Sequence, residues 1–218
     1  MPLLQVLGGA NGSGKTTWYQ LAVRQRNINP DLPFINLDLI VSQELGEYTP
    51  ENLAKAEGIA RDRMRDLLEN KRDFMIESNL SKSSDYDWID RMRKYGYDTN
   101  LFFLGTKNVE INKARVRERV LEGGHDVADP VIEQRYSMGL TYLKSKILDF
   151  TVASLIDVSE SNAQKMAELN LGSVTFKHSN CPTWVQSCLD LAERLEEKMK
   201  RITKLIDPNA GSSRRKRL

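Results

Sequence analysis

The sequence is poor in cysteine and histidine, with two of each in 218 residues. Cys181 and Cys188 lie seven residues apart in a predicted helix, a spacing that fits neither a disulfide framework nor a metal site. His125 and His178 are too far apart in the chain to predict a zinc site. These shortages argue against a disulfide-rich or zinc-built domain, and they predict a reduced, cytoplasmic compartment.

Long hydrophobic runs are also absent. No apolar stretch reaches the roughly 20 residues of a membrane-spanning helix, and the N-terminus passes directly into a predicted strand. We therefore expect neither a signal peptide nor a membrane segment.

Charge of one sign does not dominate, since the formal net charge is +2. The four basic residues at 214–217, subtracted from that total, leave −2 over residues 1–213. A slightly acidic body argues against nucleic acid as a partner. The tail at residues 207–218 is predicted to be a disordered, solvated end, with contact to RNA or to an acidic partner as the minor alternative.

What the sequence does contain is a glycine-rich phosphate loop. Residues 9–16 match G-x-x-x-x-G-K-[ST], between an apolar strand at residues 3–7 and a helix at residues 17–24. Inward-turned backbone N–H groups and the helix N-terminus suit phosphate oxygens, while Lys15 can reach the outer phosphates and Thr16 can ligate Mg²⁺. The predicted nucleotide-binding residues are Gly9, Ala10, Asn11, Gly12, Ser13, Gly14, Lys15, Thr16 and Thr17. The sequence therefore predicts binding of ATP or GTP together with Mg²⁺.

Predicted strands alternate with predicted helices beyond the loop. Strands are expected at residues 34–38, 74–77, 99–105, 154–158 and 174–177, and helices at 49–67, 86–94, 109–121, 129–149 and 183–205. Thr49 and Asp129 each precede a proline and are predicted N-caps. This order is typical of an α/β fold with an open parallel sheet and crossover helices, here a single P-loop kinase-like domain over residues 1–206. The apolar stripe of the last helix is expected to pack on the core.

Two carboxylates follow predicted strands. Ligands of such sheets gather at the carboxyl ends of the strands, so we expect Asp38 and Glu77 to share a crevice with the phosphate loop. Asp38 is either a helix cap or the group that aligns a substrate hydroxyl for attack on the γ-phosphate, and we favour the second role. Glu77 either holds Mg²⁺ through a water or grips the acceptor substrate.

A basic helical hairpin at about residues 109–149 is the other candidate for chemistry. Arg115 and Arg119 share a helix face, a Gly-Gly pair forms the apex, and Arg135 projects from the returning arm. Cationic side chains on a hinged hairpin suit a closing lid, whereas a solvated basic helix is the alternative. His125, just after the apex, either contacts substrate or shapes the turn.

The assembled motifs resemble the zeta-toxin family of P-loop kinases, in particular its small chromosomal branch. The resemblance covers roughly residues 3–160. It rests on the phosphate loop, on Asn36-Leu37-Asp38, on residues 76–81, and on Arg119 through Gly123-Gly124-His125 to Arg135.

This resemblance implies an ATP-dependent kinase that phosphorylates the 3′-hydroxyl of the amino sugar in UDP-N-acetylglucosamine. It implies that Asp38 acts on the acceptor hydroxyl, that Glu77 belongs to the substrate site, and that Arg119 and Arg135 grip the triphosphate. Some members are toxins with a cognate antitoxin, so an antitoxin is an implied partner. Ser78-Asn79 departs from the small hydroxyl or glycine residues more common in the family, which leaves the acceptor open.

The sequence alone is compatible with three functions. A kinase that phosphorylates a hydroxyl of a small molecule is the one we favour. A kinase of nucleic-acid ends or nucleosides shares the same parts, although few aromatic residues are interleaved with the basic ones. A nucleotide-binding switch with little turnover would not need the carboxylate of Asp38.

Overall fold

The computed structural model describes residues 1–206, and side chains through residue 202, so the predicted disordered tail lies outside the described residues. The strands are β1 Leu3–Gly8, β2 Phe34–Ile35, β3 Phe74–Ser78, β4 Asp98–Gly105, β5 Val152–Asp157, β6 Gln164–Asn170 and β7 Ser173–Lys177. The helices are α1 Lys15–Arg24, α2 Leu37–Ile40, α3 Pro50–Glu69, α4 Ser83–Lys94, α5 Val109–Leu121, α6 Asp129–Lys146 and α7 Thr183–Ile206. A π-helical turn, Val41–Leu45, follows α2, and a 3₁₀ turn, Ile147–Asp149, follows α6.

The strands form one sheet in the order β2-β3-β1-β4-β5-β6-β7. The first five strands in that order are parallel and are joined by helical crossovers, which confirms the α/β prediction. The last two strands pair antiparallel, so the sheet is mostly parallel and departs from the predicted parallel arrangement only at this edge. Strand β6 was missed because its sequence, QKMAELN, is half polar. Its pairings with β5 and with β7 each contain one register shift.

The two sheet faces are covered by separate apolar clusters. Alternating side chains of β1 divide between them: Leu4 and Val6 pack in the larger cluster with α3, α4, α6 and α7, whereas Leu7 packs in the smaller cluster with α1. All three are completely buried, and each such leucine stabilises the fold by about 1.5–3 kcal/mol relative to an exposed one. The sheet thus holds the phosphate loop, which follows β1, at its centre.

The second strand is shorter than predicted, and this changes the position of Asp38. The side-chain oxygen of Asn36 accepts a hydrogen bond from the Leu39 amide at 3.0 Å, so Asn36 caps α2 and ends the strand after Ile35. Asp38 therefore lies in the first turn of a short helix instead of at a strand end.

Two further expectations differ from the structure. Thr49 caps α3 as predicted, but Asp129 is the first residue of α6 and pairs with Arg117, while Ala128 occupies the N-cap. In α7 the stripe is buried at Trp184 and Cys188 but exposed from Leu191 onward, with Met199 61% exposed. The core-packing prediction is therefore wrong for the stripe from Leu191 onward, where strand β7 contacts the helix through polar groups instead, as in the hydrogen bond from the Val174 amide to Glu196 at 2.9 Å.

None of the helices within residues 1–206 combines the length and the apolar character that crossing a bilayer requires.

Candidate functional site

The phosphate loop depends on glycines because other backbone approaches it closely. A Cβ atom on Gly9 would lie 2.4 Å from the Leu104 carbonyl oxygen, and one on Gly12 would lie 2.2 Å from the Asn112 carbonyl oxygen. Gly14 caps α1 in the left-handed conformation, with φ of 73°. The side chain of Asn112 also donates to the Asn11 carbonyl oxygen at 2.7 Å. Helix α5 therefore fixes the loop from one side.

Lys15 is buried at the start of α1. Its ammonium donates to the carbonyl oxygens of Gly9 at 2.6 Å and Ala10 at 3.2 Å, and it lies 3.5 Å from the Glu77 carboxylate. Burial lowers the pKa of Lys15 and raises the pKa of Glu77, and in each case attraction to the other partner opposes that shift in part. The loop and the end of β3 are thus linked by an ion pair.

The carboxylates predicted for the acceptor side are both held by neighbours. Asp38 accepts a hydrogen bond from the Tyr48 hydroxyl at 3.0 Å, and Glu77 accepts one from the Asn36 amide at 2.5 Å. Burial and the nearby Asp38 charge raise the pKa of Tyr48 to about 12, so its hydroxyl stays a donor at neutral pH. Asn36 therefore serves both carboxylates, since it caps the helix that carries Asp38 and donates to Glu77.

A cleft of about 300 Å³ brings these groups together. We call it the phosphate cleft; its walls are residues 11–17 of the loop together with Asp38, Glu77, Arg115, Glu118, Arg119 and Glu122. Thr16, the predicted Mg²⁺ ligand, is exposed within it. Over the described residues, no three acidic, histidine or cysteine side chains cluster as a self-sufficient metal site. Mg²⁺ would fit here as an ion shared between the Thr16 hydroxyl, waters and substrate phosphates, which is its usual mode of binding.

Arg119 enters the cleft from the hairpin of α5 and α6, which we call the lid. Its guanidinium donates to the His125 carbonyl oxygen at 2.9 Å and contacts the His125 ring nitrogen at 3.3 Å. Gly124 allows this fold-back, because a Cβ atom there would lie 2.6 Å from the Arg119 side chain. The buried Nε of Arg119 has no hydrogen-bond acceptor among the described residues.

The lid tip touches the acceptor side through an aromatic stack. The rings of His125 and Tyr48 lie 4.1 Å apart at an interplanar angle of 8°. Burial lowers the pKa of His125, with Arg119 and Arg135 acting in the same direction and Asp38 opposing them. The imidazole therefore packs against the tyrosine that holds Asp38, and its lowered pKa favours the neutral form at pH 7.

The remaining arginines have different positions. Arg115 lines the cleft and donates to the Val158 carbonyl oxygen at 2.7 Å, whereas Arg117 pairs with Asp129 at the surface. Arg135 does not line the phosphate cleft. It donates to the Asn11 side chain at 2.7 Å, so its contact is with the back of the loop.

Sequence reasoning missed three residues of this site. Asn36 carried a signal, since Asn before an apolar turn is a common helix cap. Asn112 and Tyr48 carried none, because their partners lie 101 and 10 residues away and depend on the folded chain.

The comparisons with known proteins agree with this architecture. Residues 4–137 match the sequence profile of the family described as AAA domain. An uncharacterized protein of Haemophilus influenzae is 31% identical over 133 residues, which cover 59% of this chain and 88% of the relative.

Solved structures share the fold at low sequence identity. The AvrRxo1-ORF1:-ORF2 complex with ATP superposes with a TM-score of 0.62 and 16% identity, covering 91% of this chain and 63% of that one. This chain thus spans under two thirds of the AvrRxo1 chain that it matches. The PezAT chromosomal toxin–antitoxin system of Streptococcus pneumoniae superposes with a TM-score of 0.56 and 14% identity, covering 95% and 88%. The phosphate loop, the sheet order and the profile match agree: the chain belongs to the AAA domain family, with a P-loop kinase-like fold.

Proposed function

We propose that this protein is an ATP- and Mg²⁺-dependent phosphotransferase that acts on a hydroxyl group of a small molecule. One observation carries the proposal: the phosphate loop with Lys15, the carboxylates of Asp38 and Glu77, and the lid residue Arg119 all line one cleft. Nucleotide-binding sites use carboxylates to hold Mg²⁺, but a site that only binds nucleotide does not need a carboxylate such as Asp38 on the acceptor side.

Each group has a role that follows from its chemistry. Lys15 and the loop amides bind the phosphates, and Asp38 orients the acceptor hydroxyl and takes its proton late in the transfer. Arg119 balances the negative charge that spreads over the transferred phosphoryl group. Thr16 would help to hold Mg²⁺, whose chemistry when bound is to neutralise phosphate charge. Arg135, which we expected to grip the triphosphate, is proposed to stabilise the loop through Asn11.

The family resemblance makes the 3′-hydroxyl of UDP-N-acetylglucosamine the first acceptor to test. AvrRxo1-ORF1 is paired with ORF2 in its structure, and PezAT is a toxin–antitoxin system, which supports testing for an antitoxin-like partner. The AvrRxo1 structure also contains ATP, which favours ATP over GTP as the phosphoryl donor. We propose a cytoplasmic protein, because ATP is the donor.

The direct test is an acceptor panel. Protein, Mg²⁺ and γ-labelled ATP are incubated with nucleotide sugars, nucleosides and RNA 5′-hydroxyl ends, and labelled products are separated. We expect label on a small-molecule hydroxyl, and much less of it with Lys15→Ala, which should keep its fold but lose most turnover. Label on RNA ends alone would favour a nucleic-acid kinase. Tight ATP binding with no product from any acceptor would favour a nucleotide switch.

A further inference from the structure

A second cavity adjoins the phosphate cleft on its acceptor side. It has a volume of about 370 Å³ and lies between α3, α4 and the ends of β2 and β3. Glu77 and its neighbour Ser78 lie in its wall, and Glu77 also lines the phosphate cleft. A molecule that reaches from Asp38 past Glu77 would therefore enter this space, which we call the Trp88 cavity. Its size falls at the lower end of the ~300–1,000 Å³ that ligand pockets usually have.

The walls of the Trp88 cavity are mostly apolar. Leu37, Met64, Ile76, Leu80 and Trp88 contribute side chains to them. Leu80 is fully buried, whereas Trp88 is only partly buried and has a face left to contact a ligand. Leu80 also has an unusual positive φ of 51°, which the Ser78 hydroxyl supports by accepting a hydrogen bond from the Leu80 amide at 3.0 Å. An apolar wall with one aromatic face suits a ligand with an apolar or flat ring body.

The charges around the Trp88 cavity are mainly negative. Three carboxylates line it, Glu57, Glu77 and Asp85, whereas Arg61 is the only basic side chain among the described residues of its wall. Lys15 neutralises Glu77 from the side of the phosphate cleft, but it is committed to that ion pair and to the loop. A diphosphate placed here would face two further carboxylates with one exposed guanidinium to balance it.

We propose that the acceptor is a hydroxyl compound whose body is uncharged or cationic and largely apolar, and that this body occupies the Trp88 cavity. This inference rests on the proposed function and narrows it. It also sets the acceptor apart from the nucleotide sugar that the family resemblance implies. In the reaction, the acceptor oxygen forms a bond to the γ-phosphorus, the bond from that phosphorus to the bridging oxygen of ADP breaks, and the hydroxyl proton passes to Asp38. The products are the phosphorylated acceptor and ADP, which balances the atoms.

A matched pair of acceptors tests the charge preference directly. Phenyl N-acetylglucosaminide and UDP-N-acetylglucosamine offer nearly the same sugar hydroxyls, but the first carries an uncharged ring where the second carries a diphosphate. We expect kcat/KM to be at least about tenfold higher for the phenyl glycoside. A higher value for UDP-N-acetylglucosamine would overturn the inference and leave the proposed function intact.

Two variants on α3 locate the binding site. Ala60 lines the cavity and is 4% exposed, so Ala60→Trp should fill it and raise the acceptor KM at least about tenfold, with ATP affinity unchanged. Ala54→Trp adds the same side chain at an exposed position of the same helix and should behave like the wild type. An unchanged acceptor KM in a folded Ala60→Trp variant would overturn the inference.

A third variant covers the case in which Ala60→Trp does not fold. Glu57 is exposed at the cavity wall, so Glu57→Arg should fold normally and shift the acceptor preference toward UDP-N-acetylglucosamine by about tenfold or more. No shift would count against the charge argument.

A binding measurement separates failure of the inference from failure of the proposed function. Phenyl N-acetylglucosaminide and UDP-N-acetylglucosamine are titrated against the intrinsic fluorescence of the wild type and of Trp88→Phe. Saturable quenching by the phenyl glycoside that Trp88→Phe loses supports the cavity even where no label is transferred. Quenching by the nucleotide sugar alone, or by neither compound, overturns the inference, whereas absence of transfer with intact ATP binding counts against the kinase.

Discussion

At the scale of single residues, the site depends on how Asp38 is oriented. The carboxylate lies in the first turn of α2 and accepts a hydrogen bond from Tyr48, which in turn stacks on the lid residue His125. Tyr48 therefore connects the candidate base to the lid. Its hydroxyl donates to Asp38 and its ring stacks on His125, so different substitutions can remove one contact and keep the other.

Tyr48→Phe should slow phosphoryl transfer by about tenfold or less and leave ATP affinity unchanged. The substitution removes the donor to Asp38 and keeps the ring against His125; a hydrogen bond to a charged group contributes about 1.5–3 kcal/mol, which partial exposure reduces. Single-turnover rates and ATP titrations on the same preparations give the comparison. Tyr95→Phe, at an exposed tyrosine far from the loop, is the control. A rate equal to wild type would show that Tyr48 has no positioning role.

At the scale of elements, helix α5 of the lid carries two arginines that line the phosphate cleft, Arg115 and Arg119, and one at the surface, Arg117. Arg119→Ala should lower the transfer rate far more than ATP affinity, because the charge of Arg119 is needed most when charge spreads over the moving phosphoryl group. A supplied arginine is worth about 10³–10⁵ in rate in related chemistry, and Arg115 would share part of that effect.

Arg117→Ala is the matched control for Arg119→Ala. It removes the same group from the same helix, where it pairs with Asp129 in solvent, and it should change the rate less than about threefold. If Arg119→Ala lowers ATP affinity and the transfer rate by equal factors, Arg119 contacts the bound nucleotide equally before and during transfer. If neither quantity changes, the lid is a pair of solvated helices without a role in transfer.

The lid stack should also make stability depend on pH. The pKa of His125 is lowered in the fold, so below its ordinary value of about 6.5 the unfolded chain takes up a proton that the folded chain resists. Acidification from pH 7 to 5 therefore lowers the free energy of unfolding through this residue. The raised pKa of Glu77 acts in the opposite direction, because the folded chain binds that proton more readily.

The variant His125→Phe isolates the contribution of His125 to the pH dependence of stability, because phenylalanine keeps a ring against Tyr48 and does not titrate. Urea unfolding at several pH values should show a smaller loss of stability on acidification for His125→Phe than for the wild type. Parallel pH profiles for the two proteins would mean that His125 titrates as it does in the unfolded chain.

At the scale of the whole molecule, local signals predicted the elements but not how they meet. The phosphate loop was predictable because its glycines and lysine follow a short-range rule. The position of Asp38 next to the loop was expected from strand ends, yet the element was wrong, because the side chain of Asn36 replaced a backbone partner and started a helix. The stack of Tyr48 on His125 joins segments 77 residues apart in the sequence, and nothing in either segment specifies the other.

In the sheet, too, local sequence patterns predicted most strands but not the strand whose formation depends on a partner. Strands β1 to β5 follow the pattern of buried apolar runs, which is why their order along the chain was predictable. Strand β6 has polar residues at four of seven positions, and it forms because β5 offers a partner and only a short connection separates them. A short connection permits antiparallel pairing only, so this edge of the sheet reverses direction.

The central claim is that Asp38 turns a nucleotide-binding cleft into a phosphotransferase. The measurement that tests it most directly is Asp38→Asn, with fluorescent ATP-analogue affinity and acceptor phosphorylation determined on the same protein. Asp62→Asn, at an exposed carboxylate of α3, serves as the control. We expect analogue affinity within a few-fold of wild type and a fall in transfer of about 10²–10⁴, the usual contribution of a positioned general base. Transfer that survives above roughly a tenth of the wild-type rate lies outside that range and would contradict the claim.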